Sequence, residues 1–156
     1  MWLQEVLPML NVISFEIPGP VRGKARPRVT HAGITYTPKE TVQYENLVKL
    51  CFREAAASGT VDLFDKPVRA QLEVYHEIPK STSKSRQGAM LLDRIYPTKK
   101  PDADNIAKIV LDSLNGIAYK DDSQVVELIV NKTYSKRGQP YVFVRLSAMP
   151  EGRLEP

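Results

Sequence analysis

The sequence is poor in the side chains that bind soft metals. Its 156 residues include one cysteine, Cys51, and two histidines, His31 and His76. A single thiol cannot form an internal disulfide or a cysteine metal cluster, and two distant histidines do not predict a zinc site. We therefore expect a protein of the reducing cytoplasm without a zinc centre.

Long apolar runs and glycine-rich phosphate loops are also missing. No stretch reaches the roughly 18 consecutive apolar residues of a membrane-spanning helix, so we expect no membrane association. Residues 1–17 are apolar in character, but they lack lysine and arginine and are interrupted by Glu5, Asn11 and Glu16, so we expect no signal peptide. We expect no small-molecule organic cofactor. A Mg²⁺-dependent phosphohydrolase acting on nucleotides would need a glycine-rich or histidine-rich phosphate site, and the sequence has no such loop, which disfavours this function.

The length predicts one domain. We assign residues 1–150 to it and residues 151–156 to a polar C-terminal tail. The net charge is only +4, yet residues 79–100 contain six basic side chains against one acidic side chain. This local excess, more than the total charge, predicts a polyanionic partner.

Hydrophobic periodicity predicts an α/β fold of the α+β kind, a mixed β-sheet packed with two main helices. Thr37, Pro38 and Glu40 form a capping-box signal for the first helix, which ends near Gly59. Residues 79–100 show no clear period and are predicted to be a long loop. The predicted strands cover residues 12–17, 29–36 (a short hairpin with Ile34 and Tyr36 on one face), 67–78, 124–134 and 141–146, and the second helix covers 104–114.

Aspartates concentrate around the second helix. Asp102 and Asp104 lie at its N-terminus, and Lys108 follows one turn later on the same face. A returning strand antiparallel to the helix would bring Asp122 to these carboxylates. Converging carboxylates without histidine or cysteine predict a site for Mg²⁺, with Mn²⁺ as a substitute, that activates water for phosphodiester hydrolysis. We interpret Asp112 as a solvated helix residue outside this site.

Plainer interpretations of the same aspartates stay open. Asp102 or Asp104 can serve only as a helix cap, and Asp121 with Asp122 can form only a turn. No single aspartate decides between the alternatives. An Asp-x-Asp near an Asp-Asp, beside a basic segment, favours the metal site.

Basic residues surround the acidic stretch. Lys24, Arg26 and Arg28 alternate along an extended segment, a spacing that suits phosphates along one DNA strand. The alternative is a solvated sheet edge or a mobile loop. The other basic candidates for DNA contact are Lys80, Lys84, Arg86, Lys99 and Lys100.

Four segments carry a resemblance to a known family. They read KPDADNIAK at 100–108, LDSLNG at 111–116 and YKDDSQVV at 119–126, with GKARPR upstream at 23–28. These motifs and their spacing resemble the RusA family of Holliday-junction resolvases, in the version found in Gram-positive bacteria and their phages. The resemblance implies a RusA-like fold and a homodimeric, Mg²⁺-dependent endonuclease that resolves four-way DNA junctions in recombination and repair.

The resemblance also implies roles for individual residues. It assigns a supporting role in the metal site to Asp121 and a phosphate contact to Lys132. The segment before the Asp-x-Asp is extended, so a sequence preference at the cut does not transfer. The catalytic residues implied by the resemblance are Asp102, Asp104, Lys108 and Asp122.

Two functional hypotheses follow. The first is a metal-dependent nuclease for branched DNA in the cytoplasm, encoded by a bacterium or a phage. Because the chain has one acidic cluster and a junction needs two symmetric cuts, this hypothesis requires a homodimer. The second is a non-catalytic nucleic-acid-binding module of the same fold. It predicts the loss of at least one catalytic position, whereas all four are present.

Overall fold

A computed structural model describes residues 11–59 and 61–150 of the chain. The predicted tail at 151–156 and most of the apolar segment 1–17 lie outside the described residues. In chain order the elements are the strands β1 (Val12–Pro18), β2 (Arg28–Val29) and β3 (Thr35–Tyr36), helix α1 (Lys39–Ala57), strand β4 (Val68–His76), helices α2 (Lys84–Leu91) and α3 (Ala103–Ser113), and strands β5 (Val125–Tyr134) and β6 (Tyr141–Ala148).

Four strands form one mixed sheet in the order β1-β6-β4-β5. Strand β6 pairs antiparallel with β1 and β4, whereas β4 and β5 run parallel. Buried residues alternate along β1, β4 and β6, so one face of the sheet is covered, and α1 and α3 pack there. This architecture confirms the predicted α+β fold.

Helix α1 attaches to the sheet through the apolar face that its sequence predicts. Tyr44 and Val48 are buried. Phe52 meets Phe15 of β1 edge to face, with ring centroids 5.9 Å apart. Aromatic pairs of this geometry add to the stability gained by burying the rings.

The predicted capping box of α1 is wrong. Pro38 takes the N-cap position with an extended backbone (ψ 139°), so the helix begins at Lys39. Thr37 therefore falls outside the helix, and no side-chain cap forms. Glu40 lies in the first turn, where its negative charge still complements the helix dipole.

The prediction of a continuous loop over 79–100 is wrong, because α2 lies within it. The Ser83 hydroxyl accepts the N–H of Arg86 at 3.4 Å and caps the helix. Met90 is the buried side chain of this helix. A helix held by one buried residue has no apolar period, so its Ser- and Lys-rich sequence looks like a loop.

Helix α3 matches its sequence prediction closely. Gly116 adopts a left-handed φ of 72° just beyond the helix, where glycine has no steric penalty. After this turn Tyr119 is fully buried, and its hydroxyl donates to the Leu111 carbonyl at 2.7 Å. This bond holds the turn before β5 against the C-terminal end of α3. The predicted apolar stripe is buried: Ile106, Ile109, Val110, Ser113 and Leu114.

Two observations bear on the expected cellular setting. Among residues 11–59 and 61–150, no helix has the length and apolar character needed to cross a bilayer.

Cys51 is a half-buried free thiol on α1. Burial, together with the charge of Glu54, raises the pKa of Cys51, which keeps the thiol protonated and unreactive.

Candidate active site

One side of α3 carries a row of charged side chains. Asp104, Lys108 and Asp112 follow one another at intervals of four positions, which places them on the same side of the helix. We call these three residues the α3 polar face. Asp104 and Lys108 are exposed, and Asp112 is half-buried.

Asp102 precedes this row at the N-cap position of α3. Its backbone is extended (ψ 152°), and its carbonyl accepts the Ile106 N–H at 3.0 Å. Its carboxylate makes no capping hydrogen bond with the helix. The interpretation of Asp102 as a simple side-chain cap is therefore wrong, and its exposed carboxylate is available to a cation.

Lys132 holds the backbone that leads into Asp102. Its Nζ donates to the Lys99 carbonyl at 2.6 Å and to the Pro101 carbonyl at 3.0 Å. Lys132 lies opposite Val74 in the β4–β5 register, so this brace, as we call the two bonds, joins the edge strand of the sheet to the start of α3. These contacts are structural; the phosphate contact implied by the resemblance stays a prediction.

Residues 21–28 pack against the start of α3 and form a cleft with it. The Lys24 N–H donates to the Asn105 carbonyl at 3.2 Å. A Cβ on Gly23 would lie 3.0 Å from Cβ of Pro101, so this close approach favours glycine. Basic and acidic groups share the cleft, whose charged lining includes Arg22, Lys24, Arg28, Lys100 and Asp102.

At the other end of α3, Asp112 and Asp122 form a carboxyl pair. Burial, a hydrogen bond between the two side chains and the charge of Asp112 raise the pKa of Asp122 above its ordinary value. The Nζ of Lys24 lies 3.6 Å from Asp112 and also pairs with Glu45. Burial alone would lower the pKa of Lys24, but the hydrogen bond to Glu45 and the charge of Asp112 raise it.

Asp112 is the residue that the sequence interpretation wrongly left in solvent. The signal for it is its spacing, because Asp112 continues the four-residue steps from Asp104 through Lys108. Its pairing with Asp122 has no sequence signal, since it depends on how the buried Tyr119 turns the chain back.

Asp121 differs from its neighbour Asp122. Its carboxylate accepts the Ser123 N–H at 3.1 Å, and the Gln124 side chain accepts the Asp121 N–H at 3.1 Å, which completes a capping box. The bonds to Ser123 lower the pKa of Asp121. The turn interpretation therefore describes Asp121, and its supporting role in the metal site stays a prediction.

The proposed metal ligands fall into two groups. Asp102 and Asp104 lie at the N-terminal end of α3, whereas Asp122 lies beside Asp112. Asp112 follows Asp104 by eight positions in the helix. Eight positions correspond to about 12 Å along a helix axis. Across residues 11–59 and 61–150, no three His, Cys, Asp or Glu side chains converge to hold a metal ion.

The expected convergence of Asp122 on Asp102 and Asp104 is therefore not observed. The returning strand exists, because β5 leads back to the N-terminal end of α3, where Lys132 holds the backbone. Asp122, however, comes before β5 begins, so its carboxylate stays at the C-terminal end of the helix.

The donor set nevertheless suits Mg²⁺. This ion is usually held by one or two carboxylates, while water and substrate phosphate complete its shell. Asp102 and Asp104 form one such pair of oxygen donors, and Asp112 with Asp122 forms another. Burial and the neighbouring Asp112 raise the pKa of Asp122, and a divalent cation would offset both effects.

The basic residues predicted to contact DNA do not form one uniform row. Lys24 turns inward to Glu45, which breaks the expected series with Arg26 and Arg28. Lys84 lies in the first turn of α2, away from the cleft that Arg28 and Lys100 share with Asp102. The candidates exposed to solvent are Arg26, Arg28, Lys80, Lys84, Arg86, Lys99 and Lys100.

The sequence is similar to one protein family and to one curated protein. Residues 18–147 match the family model described as endodeoxyribonuclease RusA. A Bacillus subtilis (strain 168) protein called "Uncharacterized protein YqaN" is 44% identical over 81 residues. That alignment covers 51% of this chain and 57% of the relative, so the chain spans little more than half the length of the curated relative that it matches.

Proposed function

The chain belongs to the RusA family of endodeoxyribonucleases, and on that premise we propose that it is a Mg²⁺-dependent nuclease that resolves four-way DNA junctions in recombination and repair. It would work in the cytoplasm of a bacterium, where a free Cys51 thiol stays reduced. Its reaction would be the hydrolysis of one phosphodiester bond in each of two opposed strands.

One observation carries the proposal: the exposed carboxylate of Asp102 lines the cleft that Arg28 and Lys100 also line, and the exposed Asp104 follows in the first turn of α3. Carboxylates repel DNA unless cations offset their charge. A basic cleft beside an acidic pair is therefore the arrangement expected of a metal-dependent nuclease, in which the metal and the basic side chains share the phosphates.

The two carboxylates at the start of α3 are the proposed ligands of the ion. Asp102 and Asp104 would bind Mg²⁺ directly, with Asp122 as the third acidic group that the family resemblance assigns to catalysis. When bound, Mg²⁺ supplies activation of water and stabilisation of charge on the phosphate. Asp102 enters this role with its oxygens free of a capping bond to α3.

Lys108 provides the fixed positive charge of the site. It lies one helical turn after Asp104 on the α3 polar face and is exposed. An ammonium group there stabilises the extra negative charge that develops on a phosphate under attack. Asp104 lies four positions earlier on the same face, so a phosphate held by the metal at Asp104 would lie near the lysine.

Exposed basic side chains would bind the DNA arms by their phosphates. Arg28 and Lys100 line the same cleft as Asp102. The remaining contacts would come from Arg26, Lys80, Lys84, Arg86 and Lys99, with Lys132 adding to them if DNA draws it away from its carbonyl partners.

The homodimer would form at the free edge of β5. This strand has ten residues and, within the described residues, one neighbour, β4. Val126 and Leu128 are exposed along it. An unpaired apolar edge of this length favours pairing with another strand. Antiparallel pairing of two copies of β5 about a two-fold axis would place both α3 helices on the same face of one continuous sheet.

The experiment that tests this function compares two DNA substrates. A synthetic four-way junction and a linear duplex of the same sequence are incubated with the full chain and either Mg²⁺ or EDTA. We expect paired, symmetric cuts in the junction with Mg²⁺ only, and no cuts in the duplex. Tight junction binding without cleavage under both conditions would instead support a non-catalytic binding module.

A further inference from the structure

The β2–β3 ribbon, which we define as residues 28–36, stands apart from the main sheet. Strands β2 and β3 pair with each other and, in the part of the chain that the structure describes, with no other strand. Every residue from Arg26 to Thr37 is exposed. The ribbon therefore projects from the body of the protein and adds nothing to its core.

Apolar side chains are nevertheless concentrated on this ribbon. Ile34 is 64% exposed, Tyr36 is 45% exposed and Val29 is 65% exposed. An isolated two-stranded ribbon is marginal in stability, and exposed apolar groups add no stability to it. Apolar surface kept in this position indicates a binding surface.

The ribbon has two distinct faces. Arg28 lies directly opposite Tyr36, and the Thr30 N–H donates to the Ile34 carbonyl at 2.9 Å. Because side chains alternate along a strand, Ile34, Tyr36 and Arg28 share one face. Val29, which lies opposite Thr35, points to the other face.

The stem of the ribbon is fixed beside the acidic pair. The Lys24 N–H bonds to the Asn105 carbonyl of α3, and Gly23 packs closely on Pro101. Arg28, the first ribbon residue, lines the same cleft as Asp102. A partner bound by Arg28 would therefore also meet the cleft that Asp102 lines.

The charge around the ribbon favours DNA as the partner. From Val21 to Lys39 the sequence contains five basic residues and no acidic residue. Basic groups bind phosphates, but apolar groups gain little from an intact duplex. Apolar side chains do enter DNA where base steps unstack, and they kink the helix there. Bases at the branch point of a junction offer such steps.

We propose that the β2–β3 ribbon is a wedge that inserts Ile34 and Tyr36 among the bases at the branch point, while Arg28 binds a flanking phosphate. This inference rests on the proposed function and adds to it the element that distinguishes branched from linear DNA. The contacts of Gly23 and Lys24 with the start of α3 would then set the distance between the branch point and the phosphate that is cut.

The test uses a four-way junction with 2-aminopurine, a base whose fluorescence rises on unstacking, at the branch point. Full-length protein is added with Ca²⁺ in place of Mg²⁺. The variant is Ile34→Ser with Tyr36→Ser, and the matched control is Val29→Ser, which removes an equally exposed apolar group from the opposite face. Thermal melting checks folding, which we expect to be unchanged in both variants.

We expect the wild type and Val29→Ser to raise the fluorescence and the double variant not to raise it. The double variant should also lose on the order of tenfold in junction affinity, with unchanged affinity for linear duplex. A double variant that unstacks the junction as the wild type does would overturn the wedge. So would a wild type that leaves the branch point stacked; if that protein still cuts the junction with Mg²⁺, the nuclease proposal stands and only the wedge fails.

Discussion

The Nζ of Lys132 lies 3.0 Å from the carbonyl oxygen of Pro101, the residue before Asp102. The ammonium group of a residue in β5 thereby holds the backbone at the N-terminal end of α3. The same Nζ makes a second hydrogen bond, to the Lys99 carbonyl. This contact connects the sheet to the backbone before Asp102 and fixes the position from which the Asp102 side chain starts.

Replacing Lys132 by methionine should separate a positioning role from a DNA contact. Loss of the brace should lower kcat on the order of tenfold and leave KM for the junction nearly unchanged, because Asp102 would shift while the DNA contacts remain. Single- and multiple-turnover cleavage assays measure both constants. A rise in KM with unchanged kcat, together with a shallower salt dependence of binding, would show that Lys132 serves as a phosphate contact instead.

Asp112 and Asp121 offer a matched pair of substitutions beside Asp122. Asp112→Asn removes the carboxylate that contacts Asp122, so we expect the Mg²⁺ concentration for half-maximal cleavage to rise about tenfold. Asp121→Asn alters the cap on Ser123 and should lower the thermal stability slightly without changing the Mg²⁺ requirement. Equal effects of the two variants on the Mg²⁺ requirement would contradict this division of roles.

His76 predicts a defined loss of stability in acid. Burial, with the positive charges of Lys99 and Lys132, lowers the pKa of His76 to about 4, from an ordinary value near 6.5. The unfolded chain therefore binds a proton between these values and the folded chain does not. Stability should be complete above pH 6.5 and fall towards pH 4, with a slope of up to about 1.4 kcal/mol per pH unit from this group.

The variant His76→Asn lacks this titration and provides the comparison. Urea unfolding of both proteins from pH 7 to pH 4 isolates the contribution of His76, since the two proteins differ only at this residue. As the pH falls from 7 to 4, we expect the free energy of unfolding of the wild type to fall relative to that of the variant. Parallel stability curves would show that His76 takes up its proton equally in both states.

The β5 edge predicts an association that one charge can disrupt. Leu128→Lys should place two like charges near the two-fold axis and convert a dimer to a monomer in light scattering. Leu50→Lys adds the same charge at an exposed site on α1 and should remain dimeric. A monomeric wild type, or a dimeric Leu128→Lys variant, would exclude this edge as the interface.

The sequence predicts most of the elements because their apolar periods survive in the fold. The helical spacing of Ile106, Ile109 and Val110 predicts α3, and the alternation of apolar residues along 12–17 predicts β1. Helix α2 has no such pattern, because Met90 is its buried side chain and its remaining residues are equally common in loops. Local pattern is a guide only where several residues of one element are buried.

The site is less predictable than the fold, since it depends on where a turn ends. Residue types alone suggest that Asp102, Asp104 and Asp122 form one cluster. The chain, however, returns through a buried Tyr119, and this leaves Asp122 beside Asp112. No spacing rule in the sequence encodes that partner, because the contact joins a helix end to a turn through tertiary packing.

The central claim is that the carboxylates at the start of α3 bind the metal that cuts DNA, and Asp104→Asn tests it most directly. Asparagine keeps the size and exposure of the side chain and removes its charge. Single-turnover cleavage of a four-way junction with Mg²⁺ should fall by about a thousandfold or more, while junction affinity in Ca²⁺ stays within a factor of about three. An Asp104→Asn protein that cuts the junction at the wild-type rate would contradict the account.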